Sequence, residues 1–584
     1  MTHRKRLKIG TFGRSLARSA GLATLAAVLL SAAAQAQQAV APSSVTPAEL
    51  KPASSGSAVI ALPAAPDLVA PANAANLSVT LGAVSVEGGF EDMAAETRRI
   101  TDGLAGRRVT VADIYAAASA IEGDYGAAGY ALARVVVPPQ KLDPHGRLRI
   151  VVVDGYIQTI DVKGVPERQR GLIGARLAPL VGKRHVKLGE IERRVLLAGD
   201  APGLALKSTL AAGAATGGAR LVVESATERL ITGNSGVDND LPRALRNWEF
   251  TRNLQINSPF GYGEQFYFTA TTGYDVVKLF DGTIPLQIFG GGAIAPIGVD
   301  GWTINPEYTN AITRPLPPTG APKVTGYFQR ADLRASYPLI RTRKLTLNLT
   351  STLEWDQEYM TADGFPIDLY RDEYAVWRGK ADSQFALNGG AGLQAVGVLS
   401  QGLGGRTGAG SLVPLSQQGA TPTFTKFNVS GQYSQPLPGQ FSLGLFGAGQ
   451  TSFGKPLMVS EQFDLDGPGA VSGFPTGTFV VDEGAYGRAE FGRTYQLAAF
   501  NTQIPVEPYV FGAAGFGVID MPTAVQLGNL RVGSAGLGVR ASINTTAIPF
   551  VSGADLAAEL ARYVSDVPGE REGWRGNLSF SVRF

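Results

Sequence analysis

The last eight residues, Asn577-Leu578-Ser579-Phe580-Ser581-Val582-Arg583-Phe584, alternate without a fault. Leu578, Phe580, Val582 and Phe584 fall on one face, and Asn577, Ser579, Ser581 and Arg583 on the other. Successive side chains of a strand point to opposite sides, so the segment reads as a strand with one apolar and one polar face. Two architectures use such a strand. One is a half-buried strand of a soluble sheet; the other is a transmembrane barrel strand, apolar outward and polar inward. From about residue 229 helical periodicity is absent and similar runs recur: Lys344–Leu353, Phe424–Tyr433, Phe441–Thr451, Tyr486–Tyr495, Tyr509–Ile519 and Leu530–Ile543. The Gly-rich stretch Gly389–Ser416 reads as containing a loop. After residue 36 no window is long and apolar enough for a membrane helix, which leaves both architectures open.

The opposite end sets the compartment. Arg4, Lys5, Arg6, Lys8, Arg14 and Arg18 precede the apolar run Ala20–Leu30 and the small residues Ala34-Gln35-Ala36. This is the pattern of a secretory signal peptide over 1–36, with cleavage expected after Ala36. The whole chain carries 52 Lys+Arg and 49 Asp+Glu, formally +3; removing those six bases, with no acid among residues 1–36, turns the balance to −3. The basic character belongs to the leader, so no nucleic-acid footprint remains. There is no cysteine, and the histidines are His3, His145 and His185. Thiol chemistry is excluded, and there is little material for a metal site or a catalytic triad. Gly290-Gly291-Gly292 lacks the Lys-Ser/Thr of a phosphate loop, and no nucleophile-elbow or zincin motif occurs. Neither an enzyme nor a cofactor is expected.

Residues 37–76 contain Pro42, Pro47, Pro52, Pro63, Pro66 and Pro71 and read as an extended linker. Residues 77–155 read as a strand (Leu77–Val86), two helices (Glu91–Leu104 and Val111–Gly126, Thr110 as N-cap) and two strands (Ala131–Val137 and Arg147–Val153). Residues 156–228 repeat the order: strand Ile157–Lys163, helices Glu167–Val181 and Leu188–Ala198, then Leu204–Leu210 and Ala219–Glu224.

Tyr125, Gly129, Tyr130, Pro138, Gln140, Leu142, Gly146, Leu148, Val153 and Gly155 carry a specific resemblance. Their string resembles the first POTRA domain of two-partner-secretion transporters, the TpsB family of hemolysin secretion and activation proteins. There a helix ends in Tyr, Gly-Tyr opens a strand, Pro-x-Gln closes it, and a Gly-Arg-Leu strand ends in Val-Asp/Glu-Gly. Asp200-Ala201-Pro202-Gly203 resembles the Asn/Asp-x-Pro-Gly corner of the family's second POTRA domain. Asn257-Ser258-Pro259-Phe260-Gly261-Tyr262-Gly263-Glu264-Gln265 resembles the turn that opens the family's barrel, with a Ser inserted and Glu264 in place of Asp; Asp238-Asn239 upstream fits the barrel's entry signature. The resemblance implies an α+β POTRA pair followed by a transmembrane antiparallel β-barrel of 16 strands over 229–584, with Phe580, Val582 and Phe584 as the barrel's assembly signal. About 355 residues leave roughly 22 for each strand and loop, enough for strands of about 10. Related transporters carry a leading helix that plugs the barrel; no amphipathic helix precedes the Pro run here.

The family also carries a Val-Arg-Gly-Tyr/Phe tip on a long loop that enters the pore, and that Arg meets an Asp in a Phe-x-Asp-x-Gly strand. The matching positions are Val471-Ser472-Gly473-Phe474 and Phe511-Gly512-Ala513-Ala514-Gly515, so both charges are gone. The alternative is that Val-Ser-Gly-Phe is an unrelated turn. If the positions do correspond, the loop enters on neutral contacts through Gly473 and Phe474, Ala513→Asp alone impairs secretion, and Ser472→Arg rescues it.

The resemblance implies a conduit in the outer membrane with its POTRA domains in the periplasm. An unfolded exoprotein with an N-terminal secretion domain (TpsA-like) is captured by β-augmentation on the first POTRA domain, around Tyr130, Arg134, Val135, Val137 and Gln140, and passes through the barrel. The other expected partners are outer-membrane lipids and the barrel-assembly machinery. A barrel-assembly insertase of the same superfamily and a passive porin or receptor are the alternatives.

Overall fold

The computed structural model describes residues 40–50, 57–61, 68–275, 278, 281–319, 321–365, 368–499, 502–524, 526–545 and 550–584. The expected signal peptide lies outside them.

A short strand, β1 (Ser57–Ala61), precedes two small α+β domains. The first contains β2 (Ser78–Thr80), β3 (Ala83–Glu87), α1 (Ala94–Asp102), β4 (Arg108–Thr110), α2 (Val111–Ala127), β5 (Arg134–Val136) and β6 (Arg147–Val153). Helix α2 starts where Thr110 and Asp113 form a reciprocal capping box, and those hydrogen bonds hold the Asp113 carboxyl below its ordinary pKa. Its buried residues Ile114, Ala118, Ile121 and Tyr125 recur every three or four positions and pack on the β3-β6-β5 sheet. Tyr125 is fully buried, and its hydroxyl accepts from the Phe90 amide at 2.9 Å. The expected single strand Leu77–Val86 is instead two, β2 and β3, bent at Leu81-Gly82 so that β2 pairs with β4 and β3 with β6.

The second domain contains β7 (Tyr156–Gly164), α3 (Glu167–Leu177), α4 (Leu188–Gly199), β8 (Leu204–Ala212) and β9 (Gly218–Glu228). Its sheet order is β1-β8-β9-β7. The expected linker therefore contributes a strand: β1 runs parallel to β8 and covers that edge. The domain is bolted to the near end of the barrel by ion pairs. Arg341 meets Asp200 at 2.6 Å, Arg194 meets Asp300 at 2.9 Å, and Arg343 meets Glu192.

From Ile231 to Arg583 the chain closes an antiparallel barrel of 16 strands. Glu483–Arg493 and Tyr495–Ala499 form one interrupted strand, since both pair with Thr502–Val518. The first strand, Ile231–Asp238, pairs with the last, Glu572–Arg583. Phe584 extends that seam, donating to the Gly233 carbonyl at 3.0 Å and accepting from its amide at 3.1 Å. At the far end of the seam Asn239 donates to Gly576 and accepts from the Leu578 amide, both at 2.8 Å. In the first return turn Glu264 accepts from the Phe260 and Tyr262 amides, and Gly263 donates to the inserted Ser258 hydroxyl. The Gly-rich stretch expected to contain a loop holds a strand, Gly392–Gly405, with the loop after it.

Along the wall outward apolar residues alternate with inward polar ones. Leu333, Leu353 and Trp355 face out, while Asp332, Arg334, Glu354 and Asp356 are buried inward. An exposed apolar band over a charged interior suits lipid outside and a polar lumen inside. Among the described residues no helix is long and apolar enough to cross a membrane.

Deleting Phe584 removes both of its ladder bonds to Gly233, whereas Phe584→Ala keeps them. The deletion is expected to lower the temperature at which the barrel unfolds on semi-native gels further than the substitution does.

Candidate functional site

The lumen is filled by two segments of the chain itself. The first is residues 40–50, ahead of β1. This Pro-containing stretch makes one 3-10 turn, Ser43–Val45, and runs through the barrel as a plug. Ser43 donates from its amide and hydroxyl to Glu358, Arg330 donates to the Pro47 carbonyl at 2.9 Å, and Leu50 donates to Glu307. Lys380 pairs with Glu49 at 2.6 Å. Val45 packs on Leu286, Ile288, Ala311 and Phe328. The linker expectation is corrected here. Recurrent proline does prevent a long helix, but residues 40–50 bind the wall as irregular chain around one 3-10 turn, and a plug needs no long helix.

The second is the loop 452–482, between the strands Phe441–Thr451 and Glu483–Arg493. Its tip Val471-Ser472-Gly473-Phe474 enters the lumen, and all four residues are buried. Phe474 packs against Phe479 and Tyr563 with ring centroids 4.8 and 4.6 Å away. A Cβ on Gly473 would sit 2.4 Å from Tyr563 Cβ, so only glycine allows this approach. The tip carries no charge, yet its site is charged. The Ser472 hydroxyl accepts from Arg488 at 2.8 Å and donates to Glu559, and its carbonyl accepts from Asn577 at 2.8 Å. Arg488 pairs with Glu559 at 2.5 Å and with Glu490 at 2.8 Å, and lies 4.0 Å over the Phe511 ring. The wall thus supplies both ions, and the loop supplies a hydroxyl that bridges them. Sequence reasoning missed Arg488 and Glu559 because neither lies in the matched strings.

Strand register sets Ala513 beside a charge that the matched strings do not contain. Ala513 is the cross-strand partner of Arg488 and packs in the cluster around Val471 and Phe474. An Asp at 513 would face a cation, and an Arg at 472 would enter a buried pocket already holding Arg488. Gly515 faces Tyr486 across the same strand pair.

The two segments touch. A Cβ on Gly477 of the loop would lie 2.8 Å from the Ser44 hydroxyl of the plug. Between plug, loop and wall remains a cavity of about 620 Å³, lined by Glu49, Arg330, Glu354, Arg378, Lys426 and Asp464 among others.

The expected capture residues sit deeper than their role suggests. Tyr130 and Val135 belong to the first domain's core. The Tyr130 hydroxyl donates to Asp92 at 2.5 Å, and this bond together with burial raises its pKa above the ordinary tyrosine value. Val137 packs against the same core. Gln140 exchanges hydrogen bonds with the Arg149 backbone, at 2.8 Å from its amide and 2.9 Å to its carbonyl oxygen. Arg134 is half-buried, donates to the Ala131 and Ala133 carbonyls and meets Glu122 at 3.8 Å. These residues build the domain; among them no side chain stands free to read a partner. Phe580 and Phe584 face outward near the seam, with Val582 between them in the same phase.

Known proteins place this architecture. The profile of the family described as "Haemolysin secretion/activation protein ShlB/FhaC/HecB" matches residues 217–541, and that of the ShlB-type POTRA domain matches residues 79–155. Among solved structures the chain is similar to CdiB from Escherichia coli, with a TM-score of 0.69 at 18% identity over 99% of this chain and 100% of that one. CdiB from Acinetobacter baumannii gives 0.61 at 16% identity over 87% and 90%. No curated protein sequence matches the chain.

Ser472→Ala removes a hydrogen bond to charged partners, about 1.5–3 kcal/mol, which is about tenfold or more in the closed-to-open ratio of the loop. The expected readout is a higher open probability in planar bilayers. Ala513→Asp is expected to leave that probability near wild type, and Ser472→Arg to raise it strongly.

Proposed function

This chain belongs to the haemolysin secretion/activation protein family ShlB/FhaC/HecB, and we propose that it serves two-partner secretion through capture, clearance and threading. The family match spans most of the barrel, and a separate match covers a POTRA domain. This favours the secretion reading over an insertase or a porin. The family consists of transporters, with the barrel in the outer membrane and POTRA domains in the periplasm. The export cargo is an exoprotein partner. The reading carries no enzymatic step.

Capture takes an extended segment of the partner's N-terminal domain onto a free sheet edge. Three observations guide the choice of edge. The β8 edge of the second domain is covered by β1. β5 has only three residues, and its Val135 amide already donates to Glu122 at 2.9 Å. β3 has five residues and, among the described residues, pairs only with β6. Within the first domain, where capture is placed, the β3 edge is therefore the receiving edge, and the buried Tyr130, Val135 and Val137 hold the sheet beneath it. Outer-membrane lipid contacts the outward apolar band, and the barrel-assembly machinery reads Phe580, Val582 and Phe584.

Clearance removes residues 40–50 and the tip 471–474 from the lumen. The observation that carries the reading is this double filling. A barrel packed with short segments held by side-chain hydrogen bonds and a few ion pairs is a closed conduit that can be emptied. Threading then follows the charged lumen, and folding outside prevents return.

A photo-crosslinking residue at Ser85, beside the β3 edge, is expected to capture an export-arrested partner, and one at Val136 is not. Deleting the partner's N-terminal domain is expected to abolish both capture and export. Unchanged export, or a general loss of other barrels when this protein is removed, contradicts the reading.

A further inference from the structure

The loop that closes the lumen is attached at two places of opposite chemistry. Its root carries Glu461, whose side chain is wholly buried. Arg378 donates to both of its carboxylate oxygens at 2.7 and 3.0 Å, the Tyr374 hydroxyl donates at 2.8 Å, and Lys426 pairs with it at 2.7 Å. Lys426 and Gln450 also donate to its backbone carbonyl, at 2.8 and 3.0 Å. Tyr374, Arg378, Lys426 and Gln450 all stand on barrel strands. Glu354, Asp356 and Glu461 converge within 4.8 Å, a spacing that suits a divalent ion. Arg378 and Lys426 already fill that role, and Arg378 reaches across to Glu354 at 2.5 Å. The cluster is a charge clamp. Opening it would take from the buried Lys426 its ion-pair partner and from Arg378 two of its charged hydrogen bonds, leaving Arg378 with Glu354, which is strongly unfavourable.

Beyond the root, Phe463–Asp464 pairs with Val480–Val481 as a small antiparallel neck. The tip beyond the neck is held by an uncharged hydroxyl, the Asn577 amide donor, the Thr476 amide donating to the Asp240 carbonyl at 3.0 Å, ring packing and apolar contact of Leu465, Val471 and Phe479 with Ile519, Leu530 and Val532, none of which is an ion pair. When it leaves, Arg488 keeps Glu559 and Glu490, so no ion loses its partner. The cheap and costly contacts are therefore separated along the loop.

We propose that Glu461 is a positioning residue that fixes the loop's root to the wall, and that only segment 465–479 swings out during transport. This rests on reading the protein as an export pore. Passage is gated by a flap with a charged hinge, not by ejection of the whole loop.

The chain has no cysteine, so engineered thiols are unique. In one variant Ser472→Cys and Asn577→Cys are joined by a short cleavable bis-thiol reagent, which pins the tip. In another, Val376→Cys on the wall and Met458→Cys on the loop pin the root, their native side chains lying in one buried cluster outside the charge clamp. Each variant is compared with its own uncrosslinked form. The tip link is expected to abolish export at least tenfold and reversibly, and the root link to leave it unchanged. Equal block by both links overturns the hinge, as does a tip link without effect. The same samples in planar bilayers read the hinge without a partner: the tip link silences openings and the root link does not. Glu461→Gln in the tip-linked protein is expected to restore leakage, because the root is then loose; continued silence removes Glu461 from this role. If wild type exports nothing while the conductance split persists, the export reading fails and the hinge stands.

Discussion

In hydrocarbon a backbone amide has no water to turn to, so a sheet that crosses a membrane must have no open edge. The pairing of Ile231–Asp238 with Glu572–Arg583 meets this requirement, and much else follows from it. Closure fixes the register, and register decides which residues face inward. Leu333 and Leu353 go to lipid, and Arg334 and Glu354 go to the lumen. Closure also creates a hole wide enough to need filling, and the chain fills it with itself.

That filling depends on charges placed on the wall. Glu307, Glu358, Arg330 and Lys380 grip the plug, while Arg488 and Glu559 cradle the loop tip. The wall ions also pair with one another, as Arg334 does with Glu307 at 2.9 Å and Asp332 at 2.8 Å. Lys380 gives up Glu49 and Glu358 gives up Ser43 when the plug leaves, while Arg330, Arg334 and Glu307 keep one another. Glu461 is the opposite case, and its loop root is the part that stays.

Elements whose signal is local were legible from sequence. The capping box at Thr110–Asp113, the period-two last strand and the corner at Asp200–Gly203 are contained within a few residues. The strand Gly392–Gly405 was hidden because glycine carries no face, although Leu393, Leu399 and Leu403 keep the phase. The plug was hidden for another reason. Proline-rich chain has no periodicity, and the contacts that order it are hundreds of residues away, as Ser43 is from Glu358 and Glu49 from Lys380. The tip string lies on the loop that enters the lumen, but its partners depend on register: Arg488 faces Ala513, and Glu559 stands on another strand.

The central claim is that two independent fillers close this pore. Single-channel conductance of four forms tests it most directly: the whole chain, one lacking residues 40–50, one lacking 465–479, and one lacking both. The account predicts a mostly closed whole chain, intermittent opening in either single deletion, and a stably open pore in the double deletion. A whole chain that conducts like the double deletion, or a double deletion that stays closed, contradicts it.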